Sequence, residues 1–281
     1  GIIVIQIKSS YWQQISLALL VLSIGLLFLV LLPGIGRQVN GSMRWLGFGP
    51  FGLQVSEFVK LTMIVYLAGY LVRQEKQVKN QIRGFLKPLM VLAIITFLLL
   101  REPDFGAATV ILVTSLGMLF LAGVRIWQFI ILLTGVAIIL GTLAISSPYR
   151  LARLTTFLNP WANQFDSGYQ LTQSLIAFGR GGWTGVGLGE SIQKLFYLPE
   201  AHTDFLFAVL TEELGLIGGL FMILLFSLLV WRALYIGYRC FNIDQRFSAY
   251  LAYGIGLNIA LQVMINIGVN TGVLPTKGLT L

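Results

Sequence analysis

Residues 205–231 read FLFAVLTEELGLIGGLFMILLFSLLVW, and the run is entered through Tyr197-Leu-Pro-Glu-Ala-His-Thr-Asp204. A hydrocarbon core about 30 Å thick takes roughly 20 residues of helix, so this run predicts a transmembrane helix with an acidic entrance. Comparable runs near 15–32, 51–72, 85–100, 105–123, 126–147 and 247–270 bring the expected number of complete spans to seven. The run 85–100 is short, so it should lie untilted or lean on Lys87 and Arg101 to reach the interfaces.

Composition agrees with this reading. Hydrophobic residues make up 57% of the chain and charged residues 11%, and the mean hydropathy is +0.84, far outside the soluble globular range. The expected fold class is an all-α polytopic membrane protein, a single transmembrane domain over 1–281 with one large extracytoplasmic loop at 148–204. The opening without Met on Gly1-Ile-Ile-Val-Ile-Gln-Ile7, and the end inside Gly278-Leu-Thr-Leu281, suggest truncation at both ends. The first stub then reads as the tail of an earlier span.

Lys and Arg in short loops stay cytoplasmic. Loop 73–87 carries Arg73, Lys76, Lys79, Arg83 and Lys87, and segment 232–246 carries Arg232, Arg239 and Arg246. Both are placed inside, and alternation puts 33–50, 101–104, 148–204 and 271–281 outside. On that assignment only Glu75 and Asp244 of the eleven acidic residues are inside. The formal charge of +8 is dispersed around membrane edges without a basic stripe bearing aromatics. It points to anionic lipid at the cytoplasmic face and against nucleic acid. Cys240, the single cysteine, excludes an intrachain disulfide.

Several chemistries are excluded by the letters. No Gly-x-x-x-x-Gly-Lys-Ser/Thr run exists to cradle ATP phosphates, and no Gly-x-Ser-x-Gly elbow is present. The glycine-rich stretch 179–189 never satisfies Gly-x-Gly-x-x-Gly; it is either a loop giving a ligand close backbone approach or a re-entrant segment packed through small residues. One His and one Cys rule out a His/Cys metal cluster. Carboxylates still admit a hard divalent cation, Mg²⁺ or Mn²⁺, as cofactor.

Ionisable groups at membrane depth are expensive and mark function by default. Glu57 and Lys60, three apart, share a helix face; they are a packing ion pair or, with Arg44, part of an outward cavity. In Arg101-Glu-Pro-Asp-Phe-Gly106, Pro103 is suited to begin the next helix, with Asp104 in its first turn. Capping explains Asp104 as well as chemistry does, whereas nothing of the kind explains Glu102. Glu200, His202 and Asp204 precede the span opening at Phe205, and Asp204 there is either an N-cap or a general base tuned by partial desolvation. Glu212 lies deeper and needs a buried partner.

The segments Asn159-Pro-Trp161, Gly168-Tyr-Gln-Leu-Thr-Gln-Ser-Leu-Ile-Ala-Phe-Gly-Arg-Gly-Gly182 and Gln193-Lys-Leu-Phe-Tyr-Leu-Pro-Glu-Ala-His-Thr-Asp-Phe205 closely resemble the SEDS family of shape, elongation, division and sporulation proteins. Ser42-Met-Arg-Trp45, Ser56-Glu-Phe-Val-Lys60, Pro103-Asp-Phe-Gly106 and Leu274-Pro-Thr-Lys-Gly-Leu-Thr280 extend the likeness over nearly the whole chain. The wording of 177–181 and 198–204 is similar to the cell-division branch. The resemblance implies a ten-helix bundle, of which this chain lacks the first helix, most of the second and the last. It implies an inverting peptidoglycan glycosyltransferase that polymerises lipid II and expels undecaprenyl pyrophosphate, in the bacterial cytoplasmic (inner) membrane at the division septum. Asp204 matches the family's catalytic aspartate. Arg44, Glu57, Lys60, Asp104, Gln173, Arg180, Lys194, Glu200, His202 and Glu212 are the expected substrate-binding positions.

The implied partners are a class B penicillin-binding protein of the FtsI type and other divisome membrane proteins such as FtsQ, FtsL and FtsB. The rival readings are a lipid II flippase and a non-catalytic divisome scaffold. The topology is testable by itself: a cysteine placed at Ser167 should be labelled by an impermeant reagent from outside, and one at Gln77 should be spared. The opposite pattern overturns the orientation.

Overall fold

A computed structural model describes residues 6–33, 35–39, 42–48, 51–124, 126–145, 159–166 and 168–275. Part of the expected outer loop (148–158), Ser167, most of the opening stub and residues 276–280 of the closing motif lie outside these. The described residues form nine α-helices: α1 Ser9–Leu31, α2 Val55–Arg73, α3 Glu75–Asn80, α4 Ile82–Arg101, α5 Phe105–Leu121, α6 Ile126–Ile145, α7 Tyr169–Gly181, α8 Leu206–Asn242 and α9 Arg246–Asn270. Each predicted apolar run carries a helix. Five of them, α1, α2, α4 from Gly84, α8 and α9, are long and apolar enough to cross a bilayer, and α5 is shorter at 17 residues. α6 has 20 residues and no charge.

The helical expectation missed a small antiparallel sheet, β1 Gly36–Val39, β2 Ser42–Phe48 and β3 Phe51–Gln54, in the order β1-β2-β3. The run expected to be helical from 51 therefore enters as a strand, and its helix starts at Val55. Strand alternation puts Arg44 and Leu46, two residues apart, on one buried face of β2.

The chain divides into two compact units, one from Gly1–Leu133 with Val230–Ile259, the other from Thr134–Leu229 with Ala260–Gly278. In the first, α1 buries Ser16, Leu20, Ser23, Leu27 and Val30. That spacing of three and four is a single helical stripe whose serines let a neighbouring helix come close. A side-chain Cβ at Gly69 of α2 would come within 2.9 Å of Ser16 Oγ, and Arg73 donates to Ser16 Oγ at 3.1 Å. Pro88 sits inside α4 and cannot donate to the carbonyl of Gly84. Tyr70 Oη donates to that carbonyl instead, at 2.7 Å.

The two basic segments expected inside meet in this unit. Glu75 accepts from Lys79 Nζ at 2.7 Å and stands 4.0 Å from Arg246, which pairs with Asp244 at 2.7 Å. The hydrogen bond from Lys79 holds the Glu75 carboxyl below its ordinary range. Nearby in sequence, Trp231 stacks on Tyr235, whose ring is flanked by Arg232 and Arg239. Such an aromatic and basic belt suits a membrane interface.

In the second unit, Ala177 of α7 packs with Leu198, Ala201, Phe205, Ala208, Val209 and Val269. α8 is broken at Gly215, whose φ of 69° and ψ of −172° lie outside the helical region. The freed backbone groups are taken by the glycine-rich stretch. Leu216 N–H donates to Gly182 O at 2.9 Å, Ile217 N–H to Trp183 O at 3.2 Å, Val186 N–H to Glu212 O at 3.0 Å and Gly187 N–H to Glu213 O at 3.1 Å. Residues 182–187 are thus packed backbone to backbone against 212–217.

A side chain at Gly215 would drive into the Trp183 carbonyl and the Gly185 amide. Gly215→Ala should therefore cost more than the ~1–2 kcal/mol of a left-handed alanine alone. Gly25→Ala, on α1 with open space around it, should be neutral or stabilising by up to about 1 kcal/mol. Melting of the purified protein in detergent checks the pair.

Candidate catalytic site

Asp204 lies in the turn 200–205 that leads into α8, half-buried. Glu200 opens this turn with a left-handed φ of 58°. Its carbonyl accepts from Thr203 N–H at 3.1 Å and Phe205 N–H at 3.2 Å, and its carboxylate from Thr203 Oγ1 at 2.6 Å. Because α8 begins at Leu206, the N-cap position falls on Phe205, which has no side-chain oxygen, and Asp204 stands one residue outside it. An N-cap oxygen normally serves the amide of the third helical residue. Here that amide, of Ala208, donates both to the Phe205 carbonyl and to Asn270 Oδ1 of α9, each at 3.0 Å. This amide is thus satisfied by Phe205 and by a side chain from another helix.

The carbonyl of Asp204 is held as well, by Asn266 Nδ2 at 3.0 Å and Asn270 Nδ2 at 2.8 Å. His202 is exposed, and Gln173 is half-buried on α7. Neither asparagine was singled out from sequence. The signal was there, since α9 carries amides at Asn258, Gln262, Asn266 and Asn270, four apart along one helix face.

Glu212 is fully buried and has the partner its depth demands. Its carboxylate accepts from Arg180 Nη1 at 2.9 Å, from Ser191 Oγ, from Ile192 N–H at 3.4 Å and from Gln193 N–H at 3.3 Å. Lys194 Nζ bridges Glu213 at 2.7 Å and Gly189 O at 2.6 Å. These pairs tie the segment 189–194 and the C-terminal end of α7 to the broken part of α8. Arg180 keeps 38% of its side chain exposed while holding Glu212.

In the first unit Lys60 is buried and pairs with the exposed Glu57 at 2.7 Å. Arg44 donates from Nε to Glu102 O at 3.2 Å and from Nη2 to Pro103 O at 2.8 Å. A cation on these carbonyls completes the C-terminal end of α4, where the helix dipole is negative. Pro103 does not begin the next helix as expected: α5 starts at Phe105, and Asp104 is its N-cap, with Oδ1 accepting from Ala107 N–H at 3.0 Å. The sequence set Glu102 apart without giving it a role. It is 1% exposed, and both of its carboxylate oxygens lack a hydrogen-bond partner among the described residues, as does Asp104 Oδ2. Burial foremost, then the neighbouring Asp104, pushes the Glu102 carboxyl up to about 8 against the opposing pull of Arg44.

A broken span entered through an acidic turn, among other apolar helices, defines a multi-pass membrane protein with a polar site at helix ends. The chain belongs to the FtsW/RodA/SpoVE family of cell cycle proteins, whose model matches residues 1–281. A relative from Legionella pneumophila, named probable peptidoglycan glycosyltransferase FtsW, is 60% identical over 281 residues, covering 100% of this chain and 71% of its own. A relative of the same name from Coxiella burnetii is 63% identical over 270 residues, or 96% of this chain and 73% of its own. Among solved structures, one described as structural coordination of polymerization and crosslinking by a peptidoglycan synthase complex aligns with a TM-score of 0.80 at 26% identity, over 100% of this chain and 77% of that one. The rod shape determining protein RodA of Thermus thermophilus aligns with a TM-score of 0.66 at 25% identity, over 98% and 72%.

Glu102 makes the first unit pH-sensitive. Its carboxyl in the folded protein, about 8, lies above the ordinary 4.5, so the native state keeps a proton that the unfolded chain sheds. The stability this contributes is full below about 4.5 and is lost as pH rises through about 8. Glu102→Gln should flatten that decline, so the difference in melting temperature between variant and wild type should move in the variant's favour from pH 5 to pH 8.5.

Proposed function

We propose that this chain polymerises lipid II into peptidoglycan glycan strands, with Asp204 as general base. The relatives named peptidoglycan glycosyltransferase FtsW support the reaction. The observation that carries Asp204 is its place at the entrance to α8, outside the N-cap position, with the Ala208 amide served by Asn270. A half-buried carboxylate of this kind is positioned to take a proton from a hydroxyl.

In the reaction the acceptor sugar hydroxyl attacks the anomeric carbon of the donor. Its proton passes to Asp204, and the bond to the lipid pyrophosphate breaks. One displacement inverts an α-linked donor to a β-glycosidic product, so no covalent nucleophile is needed. Charge building on the leaving pyrophosphate calls for cations; Arg180 and Lys194 offer two in the same unit as Asp204, and the other substrate contacts named from the resemblance belong to this proposal. A divalent cation, Mg²⁺ or Mn²⁺, would add positive charge at the leaving pyrophosphate; among the described residues no three of His, Cys, Asp or Glu stand together as ligands. Apolar helix faces suit the polyprenyl chains of substrate and leaving group.

The same reading puts the protein at the division septum with a class B penicillin-binding protein, a partner supported by the likeness to a structure described as a peptidoglycan synthase complex. The test is Asp204→Asn, purified with that partner and assayed for strand synthesis by gel. Asn keeps size and capping capacity and removes basicity. Polymerisation should fall ~10²–10⁴-fold with stability and partner binding intact, and Glu200→Gln should be milder. A stable, partner-bound Asp204→Asn protein that polymerises near the wild-type rate would falsify the base and shift weight to lipid II transport or scaffolding.

A further inference from the structure

We infer that Asn270, assisted by Asn266, is a positioning residue for Asp204: the two amides fix the peptide from which the Asp204 carboxylate projects. This rests on the reading of Asp204 as the base. Asn270 is fully buried and every polar atom of its side chain is used. Oδ1 accepts from Ala208 N–H at 3.0 Å, and Nδ2 donates to Asp204 O at 2.8 Å and to Asn266 O at 2.8 Å. Asn266 Nδ2 adds a second donor to the same Asp204 carbonyl, at 3.0 Å. The backbone of Asn270 is itself anchored, its carbonyl accepting from Ser174 Oγ of α7 at 2.8 Å.

The geometry separates two jobs within one side chain. The oxygen of Asn270 finishes the N-terminal end of α8, a structural task. The nitrogen grips the carbonyl of the residue whose carboxylate does the chemistry. With two donors on one carbonyl, the peptide plane between Asp204 and Phe205 cannot rotate without breaking both bonds, so the backbone from which the Asp204 side chain projects is held from α9. An error of about 1 Å in a reacting group costs on the order of 10²-fold in rate. A turn lying before a helix, opened by a residue at a left-handed φ of 58°, needs such external fixing.

The two jobs come apart in Asn270→Asp. A carboxylate there still accepts from Ala208 N–H, so the hydrogen bond to the helix start is kept, although the buried charge costs stability. Both donors to Asp204 O and Asn266 O are lost.

The expected result for Asn270→Asp, measured on the full chain co-purified with its penicillin-binding partner, is a protein that still folds but melts lower, because its buried carboxylate faces the Asp204 and Asn266 carbonyls; Asn266→Ala should melt close to wild type. The polymerisation kcat of Asn270→Asp should fall about 10- to 100-fold, while the KM for lipid II changes less than about threefold. Asn266→Ala, which leaves one donor in place, should lose less, and Asn270→Ala should lose both stability and kcat. In an Asp204→Asn background, Asn270→Asp should add no further loss, because it acts through the Asp204 side chain.

If Asn270→Asp polymerises like wild type while Asp204→Asn is inactive, Asn270 is a cap alone and the inference fails although the base stands. An Asp204→Asn protein that remains active removes the base and this inference with it. A KM effect with kcat unchanged also overturns positioning, since it would place Asn270 in substrate binding. Should Asn270→Asp fail to fold, Asn266→Ala decides the matter: unaltered kcat sinks the inference, and a reduced kcat at wild-type melting temperature upholds it.

Discussion

A helix that breaks inside an apolar environment leaves backbone amides and carbonyls that no water can satisfy, each costing several kcal/mol if abandoned. Much of what is distinctive in this chain answers that constraint. Where Pro88 denies α4 a donor, Tyr70 supplies one to Gly84 O. Where α4 ends, Arg44 covers the carbonyls of Glu102 and Pro103. At the Gly215 break in α8, the segment 182–187 docks its own backbone against 212–217. Where α8 starts, Asn270 takes the Ala208 amide. In each case the rescuing group comes from a different stretch of chain, so the repair of a helix end is also a tertiary contact.

Charge follows a parallel rule. An isolated carboxylate at depth is prohibitively costly, whereas a paired and hydrogen-bonded one is tolerable without being a large net source of stability. Glu212, with four donors around it, is such a case and fixes a loop rather than adding to a sum. Lys60 leans on Glu57. Glu102 escapes the cost differently, by keeping its proton.

These repairs concentrate at the helix ends that carry the charged residues, and there structure and function become hard to separate. Arg44 ends a helix and is also an expected substrate contact. Asn270 caps a helix while holding the backbone of Asp204, the residue proposed as the base. Membrane enzymes have few polar side chains to deploy, so the same group serves twice, and substitutions that preserve one job while removing the other are the informative ones.

The helical spans and the residues of interest were legible in the sequence, because runs of about twenty apolar residues admit little else and an acid within them stands out. Arg44, Lys60, Glu102, Asp104, Asp204 and Glu212 were all visible as letters that burial penalises. The small sheet was not, since strands of four to seven residues carry too little alternation to compete with an apolar run beginning at Phe51. The break at Gly215 was hidden because glycine is common in membrane helices and only a neighbouring backbone reveals which one leaves the helix. Partnerships depended wholly on the fold: Glu212 with Arg180 is separated by 32 residues and Asp204 with Asn270 by 66. Sequence names the groups that must be satisfied, and three-dimensional proximity alone decides what satisfies them.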